Sequence, residues 1–211
     1  GTAISRLIKF GEDPSGLGRW NWSYLRGVGG RNVHLVSVHV PTVSESTGND
    51  RVEAQHERYF NIKKRDGTVL EIYWEDLAKD LSKWYESGDQ ILLSGDVNVE
   101  VTDPSITAFF AQFDMRNVLI DLHGDGPETH LRNNQNKTID GIWCTPGIQP
   151  TSGGYLPYEV GDHRPLWIDF AEVDVFGHRE LKTAPIRGRK LQLRHPKARK
   201  NYTRILFNRA K

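Results

Sequence analysis

The alternation of apolar and polar positions near the start of the chain predicts a β-hairpin. Residues 19–25 and 32–40 alternate with the two-residue period of strands, and the Gly-rich stretch 27–30 between them supplies turn residues. The aromatic residues of the first run all fall on one side of the predicted strand. This spacing is typical of the buried face of a strand, so we do not interpret it as a surface for stacking bases.

Helical spacing of apolar residues follows further along the chain. Between Trp74 and Tyr85 the apolar residues recur mostly three or four positions apart, and Gly88 stands where the end of a helix is expected. The polar stretch 42–50 precedes a shorter helix that we expect to end near residue 62. Two helices are therefore predicted in this part of the chain.

The remaining pattern predicts one more helix and several short strands. Thr102 or Asp103 would cap the helix, with Pro104 at its first position. Apolar runs that we interpret as strands cover residues 90–94, 118–123, 138–144 and 165–170. Helices and strands alternate while hairpins join several strands, so we predict an α/β (α+β) fold with a mixed sheet and helical layers.

The net charge of +1 conceals an uneven distribution. Residues 178–211 carry 12 Lys and Arg against one acidic residue, Glu180, which gives this tail a charge of +11 and leaves −10 on the rest. Such asymmetry is typical of proteins that bind nucleic acid. The alternative interpretation is a solvated basic arm without a particular partner.

The cysteine content and the hydropathy of the sequence indicate the cellular compartment in which the protein is expected. The single Cys144 excludes an internal disulfide and fits a reducing environment. No apolar stretch approaches the ~20 residues that cross a bilayer, and no signal-peptide pattern opens the chain. We expect an intracellular protein, nuclear or cytoplasmic, that is not secreted and has no membrane partner.

Polar residues gather where the predicted strands end. Each would be an ordinary turn residue if it stood alone. Together they have the composition of a phosphoryl-transfer site with a hard metal ion. They are His39 in SVHVP, Asp96 and Asn98 in SGDVN, Asp140 in IDGI, and Asp162 and His163 in GDHRPL.

The order of these four motifs resembles the second half of the endonuclease/exonuclease/phosphatase superfamily, with the deoxyribonuclease I-like fold. The resemblance covers about residues 1–170. It implies a partial two-sheet α/β sandwich, with mixed sheets flanked by helices, in a domain spanning 1–177, followed by the basic tail 178–211. The family's N-terminal strands, which carry an Asn and a metal-binding Glu, have no counterpart, so we expect a fragment. The tail more weakly resembles the segment that follows retroelement endonucleases.

The resemblance also implies a role for each motif residue. His163 takes the place of the catalytic histidine close to the scissile phosphate, and Asp140 holds its imidazole. Asp96 orients or deprotonates the attacking water, and Asn98 fixes that water or a phosphate oxygen. His39 stands where family members carry a Tyr or His that stabilises the transition state.

The same resemblance implies a metal and contacts to nucleic acid. Asp162 would help to hold Mg²⁺ or Mn²⁺ together with Asp96. The loop before Asp140 lies where the family's loops approach DNA, with an ordinary hairpin loop as the alternative. In this loop and in the basic tail, the residues expected to contact nucleic acid are Arg132, Asn133, Asn136, Arg187, Arg189 and Lys190. His130, His178 and His195 have no partner at ligand spacing, so we do not expect them to bind metal.

The predicted function is that of a divalent-metal-dependent phosphodiesterase or endonuclease. It would cleave DNA by in-line attack of an activated water, and the tail's resemblance adds a retroelement origin. RNA is a second expected partner, and the oligomeric state is left open. The alternative is a catalytically inactive remnant that binds nucleic acid. A calcineurin-type metallophosphoesterase is disfavoured because its D-x-H and G-N-H motifs are not found in that order.

Overall fold

A computed structural model of the protein describes residues 4–42, 52–130, 137–178 and 196–209. Within these ranges no helix has the length and apolar character needed to cross a membrane. Six predicted nucleic-acid contacts lie outside the described residues and stay predictions: Arg132, Asn133, Asn136, Arg187, Arg189 and Lys190.

The chain divides into two compact units. Residues 1–179 form the first and 180–211 the second. In the second unit, Pro196–Arg209 form helix α6, which carries basic residues and no acidic one. This agrees with the sequence pattern, which allows a basic helix there. The assignment of the first unit as an endonuclease-like domain and of the second as a nucleic-acid-binding tail stays a prediction.

A six-stranded mixed sheet forms the centre of the first unit, in the order β1-β2-β3-β4-β6-β5. β3 and β4 are parallel and every other neighbouring pair is antiparallel. The pairing of β2 with β3 confirms the predicted hairpin. The strands are β1 Leu7–Glu12, β2 Trp20–Leu25, β3 Val33–His39, β4 Gln90–Asp96, β5 Arg116–Asn117 and β6 Asp140–Cys144.

A second, two-stranded sheet pairs β7, Pro150–Tyr155, with β8, Leu166–Phe170. The sequence pattern predicted β8 and did not identify β7. The small and polar side chains of β7 lack the apolar alternation on which strand prediction depends.

Within the described part of the first unit, five α-helices accompany the sheets, and local capping marks the starts of several of them. The side chain of Thr68 forms a capping box with Glu71 at the start of α2. Asp103 caps α3 and Pro104 occupies its first turn, as predicted. The helices are α1 Val52–Ile62, α2 Val69–Glu86, α3 Pro104–Ala111, α4 Val118–His123 and α5 Glu172–Phe176.

The predicted strand at residues 118–123 is wrong, because this stretch forms helix α4. The Asn117 side chain accepts hydrogen bonds from the backbone N–H groups of Leu119 and Ile120, which caps a helix at this point. In this part of the chain, only Arg116 and Asn117 pair with β6 as a strand. A short apolar run fits a buried helix as well as a buried strand, and here the cap decides between them.

Two apolar cores cover opposite faces of the six-stranded sheet. On one face, α2 and α3 pack against β3, β4 and β6 through residues that include Leu77, Leu81 and Phe110. On the other face, α4, α5 and β8 pack around residues that include Val118 and Phe176. Layers of helix and mixed sheet confirm the predicted α/β (α+β) class, and they leave the ends of β3, β4 and β6 free to form a site.

Candidate active site

Three of the predicted site residues lie in one row across the sheet. His39 is paired with Asp96 across β3 and β4, and Asp96 is paired with Asp140 across β4 and β6. Residues paired in this way direct their side chains to the same face. The three side chains are therefore neighbours at one edge of the sheet, and His39 Nε2 lies 3.9 Å from Asp96 Oδ2.

Gly95 makes the close approach of β3 and β4 possible beside this row. Its φ of +154° is unfavourable for other residues, and a Cβ at this position would lie 1.9 Å from the carbonyl oxygen of Val38. The Gly in the SGDVN motif is therefore required by the packing of the two strands that carry His39 and Asp96.

Asp96 and Asn98 are held together by a turn. β4 ends at Asp96, and Asn98 has a φ of +55°, so strand alternation does not orient its side chain. Its backbone N–H donates to Asp96 Oδ1 at 2.7 Å, while its side-chain Nδ2 donates to the carbonyl oxygen of Val40 at 2.5 Å. Asn98 thus links the Asp96 carboxylate to the chain that leaves β3.

His163 reaches the row from a separate turn. Its Nδ1 lies 2.9 Å from Asp140 Oδ2, and its Nε2 lies 3.9 Å from Asp96 Oδ2. The turn begins at Val160, which bridges to His163, and includes Gly161 with a φ of +70°. The imidazole therefore stands between the two carboxylates.

Two residues that the sequence pattern did not identify hold this arrangement in place. The hydroxyl of buried Thr129 accepts hydrogen bonds from the backbone N–H groups of Ile139 and Asp140. The Arg164 side chain donates to the carbonyl oxygens of Glu128 and Leu156. These contacts fix the segments before Asp140 and after His163. In the sequence, the only signal for a role of Thr129 and Arg164 was their position close to the motifs.

His130 also lies at the site, although the sequence offers it no partner at ligand spacing. That it does not bind metal stays a prediction. It bridges to His163 through the backbone, and the centroids of their rings are 5.0 Å apart. Its Nε2 lies 3.8 Å from Asp162 Oδ2. Asp162 therefore stands beside His130, next to the row of carboxylates. Because His130 and Asp162 are far apart in the sequence, their spacing did not indicate that they would meet.

The pKa values of Asp96 and His163 are both raised, for different reasons. Burial raises the pKa of Asp96, with a further contribution from the Asp140 charge, and the hydrogen bond from Asn98 opposes both. Burial alone would lower the pKa of His163, but its hydrogen bond to Asp140 and the charges of Asp140 and Asp96 outweigh this and raise it. The site thus favours a charged imidazole beside a carboxylate that accepts protons readily.

The donor set fits a divalent cation. Among the described residues, the ligand oxygens of Asp96 and Asp140 and a ring nitrogen of His163 lie within 4.8 Å of one another. Because a charged imidazole has no lone pair for a metal, the two carboxylates are the residues that would hold the cation, beside His163. Carboxylate oxygens suit Mg²⁺ and Mn²⁺. The side chain of Asp96 is 11% exposed, and that of Asp140 is 15% exposed. Two such carboxylates close together are most stable when a positive charge lies between them.

No protein-family model and no curated protein matches the sequence. The solved structures that resemble the fold include two with TM-scores above one half. One is the human Nocturnin catalytic domain with bound sulfate, with 16% identity, a TM-score of 0.52, and coverage of 78% of this chain and 59% of that domain. The other is the 3′ phosphatase NExo from Neisseria, in a variant form bound to a product DNA hairpin. It has 14% identity, a TM-score of 0.51, and coverage of 78% of this chain and 71% of that one.

The chain has the deoxyribonuclease I-like fold. This confirms, at the level of the fold, the resemblance to the endonuclease/exonuclease/phosphatase superfamily and the two-sheet α/β architecture. The deoxyribonuclease I-like unit spans 59% of the Nocturnin domain. The endonuclease domain of TRAS1, a telomere-specific non-LTR retrotransposon, has a TM-score of 0.47 and 14% identity. That similarity is too low to support the retroelement resemblance, which stays a prediction.

Proposed function

We propose that the deoxyribonuclease I-like unit hydrolyses phosphodiester bonds with a bound divalent cation, Mg²⁺ or Mn²⁺. The observation that carries this proposal is the hydrogen bond of His163 to Asp140 beside Asp96, where β3 and β4 end and β6 begins. In-line attack on a phosphodiester needs an oriented water, a proton acceptor and positive charge near the phosphate oxygens. The residues in this row can supply each of these.

The side chains divide the chemistry between them. Asp96, whose pKa is raised, accepts a proton from the attacking water, and Asn98 orients that water or a phosphate oxygen. His163 is kept charged by Asp140 and stabilises the negative charge that develops on the phosphate. His39 contacts the transition state from the other side of Asp96. When bound, the cation adds positive charge at the phosphate oxygens.

His130 and Asp162 extend the proposal to the edge of the site. Asp162 would hold the cation directly or through water, next to the carboxylate of Asp96. His130 lies beside the ring of His163, at a position where its imidazole can donate to a phosphate oxygen. Removing one hydrogen bond to a charged group typically costs ~1.5–3 kcal/mol, so His130 would assist turnover without being essential.

We propose DNA as the substrate, with RNA as the second candidate. The basic residues 178–211 favour a polyanion, because phosphate contacts and counterion release drive such binding. NExo, whose fold is similar, has been captured with a product DNA hairpin. The alternative is an inactive remnant that keeps the basic tail. Salt-sensitive binding agrees with both, so hydrolysis must separate them.

Nicking of supercoiled plasmid by the full 211-residue chain in Mg²⁺ tests the proposal. We expect chelator-sensitive nicking that His163→Ala slows by roughly two to four orders of magnitude, the range for a positioned acid–base group. His178→Ala, which removes an exposed imidazole outside the site, is the matched control and should nick like the wild type. A folded chain that binds plasmid without nicking it would support the inactive remnant.

Isothermal titration of the chain with MgCl₂ or MnCl₂ tests the metal separately from turnover. We expect one binding event that Asp96→Asn weakens and His178→Ala leaves unchanged. Nicking that survives both the chelator and Asp96→Asn would contradict a metal-dependent mechanism at this site.

A further inference from the structure

A cavity of about 310 Å³ opens next to the candidate active site, on the far side of Asn98. Its walls come from the turn after β4, the segment after β3, and the starts of α2 and α3. We call it the Trp74 cavity, and the residues that define it here are Val40, Trp74, Asn98, Val99, Ser105 and Ile106. Nothing in the proposed reaction uses this cavity.

Asn98 is the wall that the Trp74 cavity shares with the reaction site. Its backbone N–H binds the Asp96 carboxylate, while its side chain binds the carbonyl oxygen of Val40, which lines the cavity. Only Asn98 therefore separates a phosphate bound at Asp96 from the cavity. A group attached to that phosphate can reach the cavity by extending past Asn98. This continuity makes a part of the same substrate the natural occupant.

The walls of the cavity differ chemically from the reaction site beside it. No charged side chain is among the described residues that line the cavity, whereas Asp96, Asp140 and His163 meet next to it. The indole of Trp74 is half-buried and packs against Phe109, with the ring centroids 4.6 Å apart. Apolar walls around an aromatic ring bind a flat, neutral, aromatic group and exclude a phosphate.

We propose that the Trp74 cavity holds the base of the nucleotide that carries the scissile phosphate, an inference that rests on the proposed phosphodiesterase activity. A volume at the lower end of the ~300–1,000 Å³ typical of small-molecule sites suits one base. Ser105 and Asn98 add polar side chains to the lining, where the Ser105 hydroxyl donates to Asp103 Oδ1 and Asn98 Nδ2 donates to the carbonyl oxygen of Val40.

The inference defines the substrate class more closely. A base reaches such a cavity only when it is unpaired and unstacked, because a paired base presents no free face to a side chain. The enzyme would therefore prefer single-stranded or locally unpaired nucleic acid to a continuous duplex. Stacking on aromatic side chains contributes ~1–3 kcal/mol per base, so the base should increase kcat/KM by roughly 5- to 150-fold.

Filling the cavity from its rim tests the inference. Val99 is 41% exposed, so Val99→Trp can occupy the cavity without emptying the core. Val173→Trp, on α5 and 45% exposed, adds the same side chain away from the site and is the matched control. If Val99→Trp does not fold by near-UV circular dichroism, Thr42→Trp narrows the cavity from the β3 side.

The substrates for this test are the dinucleotide thymidylyl-thymidine and two analogues of it, each of which lacks one of the two bases. We expect the 211-residue wild type and Val173→Trp to cleave the dinucleotide roughly 5- to 150-fold faster than one of the analogues. Val99→Trp should abolish this preference, so that it cleaves the dinucleotide and that analogue at similar rates. Equal discrimination by Val99→Trp and the wild type would overturn the inference.

A binding measurement keeps this inference separate from the proposed activity. If the wild type hydrolyses none of these compounds, the phosphodiesterase proposal fails, and equilibrium dialysis decides about the cavity. We then expect thymidine 5′-monophosphate to bind more tightly than deoxyribose 5-phosphate, with the preference lost in Val99→Trp and kept in Val173→Trp. Equal binding of the two compounds to the wild type would exclude a base-binding cavity.

Discussion

At the residue scale, the site consists of a few side chains whose charges depend on one another. Asp140 accepts a hydrogen bond from His163, and Asp96 stands 3.9 Å from the other nitrogen of the same ring. His39, Asp96, Asp140 and His163 could be predicted from motif order. Thr129 and His130 could not, because each acts through a partner that lies far away along the chain.

The raised pKa values of Asp96 and His163 predict a bell-shaped dependence of activity on pH. Activity should fall as the pH drops through the raised pKa of Asp96, because the protonated carboxyl cannot accept a proton from water. It should also fall as the pH rises through the raised pKa of His163, because the imidazole loses its charge. The rate of dinucleotide hydrolysis across this range measures both limbs.

Asp140→Asn provides the test of the alkaline limb. The hydrogen bond and charge of Asp140 raise the pKa of His163, so the variant should move this limb to lower pH. His178→Asn is the control and should leave the profile in place. An alkaline limb that does not move in Asp140→Asn would show that His163 does not produce it.

At the element scale, the ends of strands and helices decide which side chains reach the site. Asp103 and Pro104 are local signals, and α3 begins where they predict. Helix α2 was predicted from the spacing of its apolar residues, and the structure shows that it begins at the Thr68 capping box. α4 was predicted as a strand because its cap, Asn117, was not recognised. Local signals were therefore sufficient where a cap was recognised, and insufficient for a short apolar run.

Gly95→Ala should disrupt the junction of β3 and β4. The added Cβ would meet the carbonyl oxygen of Val38, and the backbone angle is unfavourable for Ala, so we expect a loss of about 3 kcal/mol in unfolding free energy. Urea denaturation measures this loss. Weaker binding of Mg²⁺ should accompany it, because His39 and Asp96 are carried by the same strands.

Gly88→Ala is the matched control for this prediction. Gly88 also has a positive φ, +75°, but nothing lies within 4 Å of an added Cβ. Its cost should be limited to about 1 kcal/mol of backbone strain, without a change in Mg²⁺ binding. Equal losses in the two variants would contradict the argument from close strand packing.

At the scale of the whole molecule, buried histidines link stability to pH. His34 is 3% exposed, stacks on Trp84 and pairs with Asp89. Burial lowers its pKa below the ordinary 6.5, and this outweighs the opposing effect of Asp89. Burial also lowers the pKa of His56. Both imidazoles therefore favour the neutral form in the folded protein.

The free energy of unfolding should decrease as the pH falls below 6.5, the ordinary histidine pKa. In this range the unfolded chain binds protons that folded His34 and His56 do not, so protonation favours the unfolded state. Urea denaturation above and below pH 6.5 measures the change. His34→Gln should be less stable overall and lose less stability on acidification, whereas His178→Gln should match the wild type.

The sequence by itself determined the β2–β3 hairpin, helices α1 to α3 and the order of the motifs that predicts the site. These features depend on periodicity, caps and turn residues within a few positions, which physical chemistry specifies locally. Only the tertiary structure decided the row of His39, Asp96 and Asp140, the approach of His130 to His163, and the Trp74 cavity. Strand register and packing bring together residues distant in sequence, and no local pattern encodes those contacts.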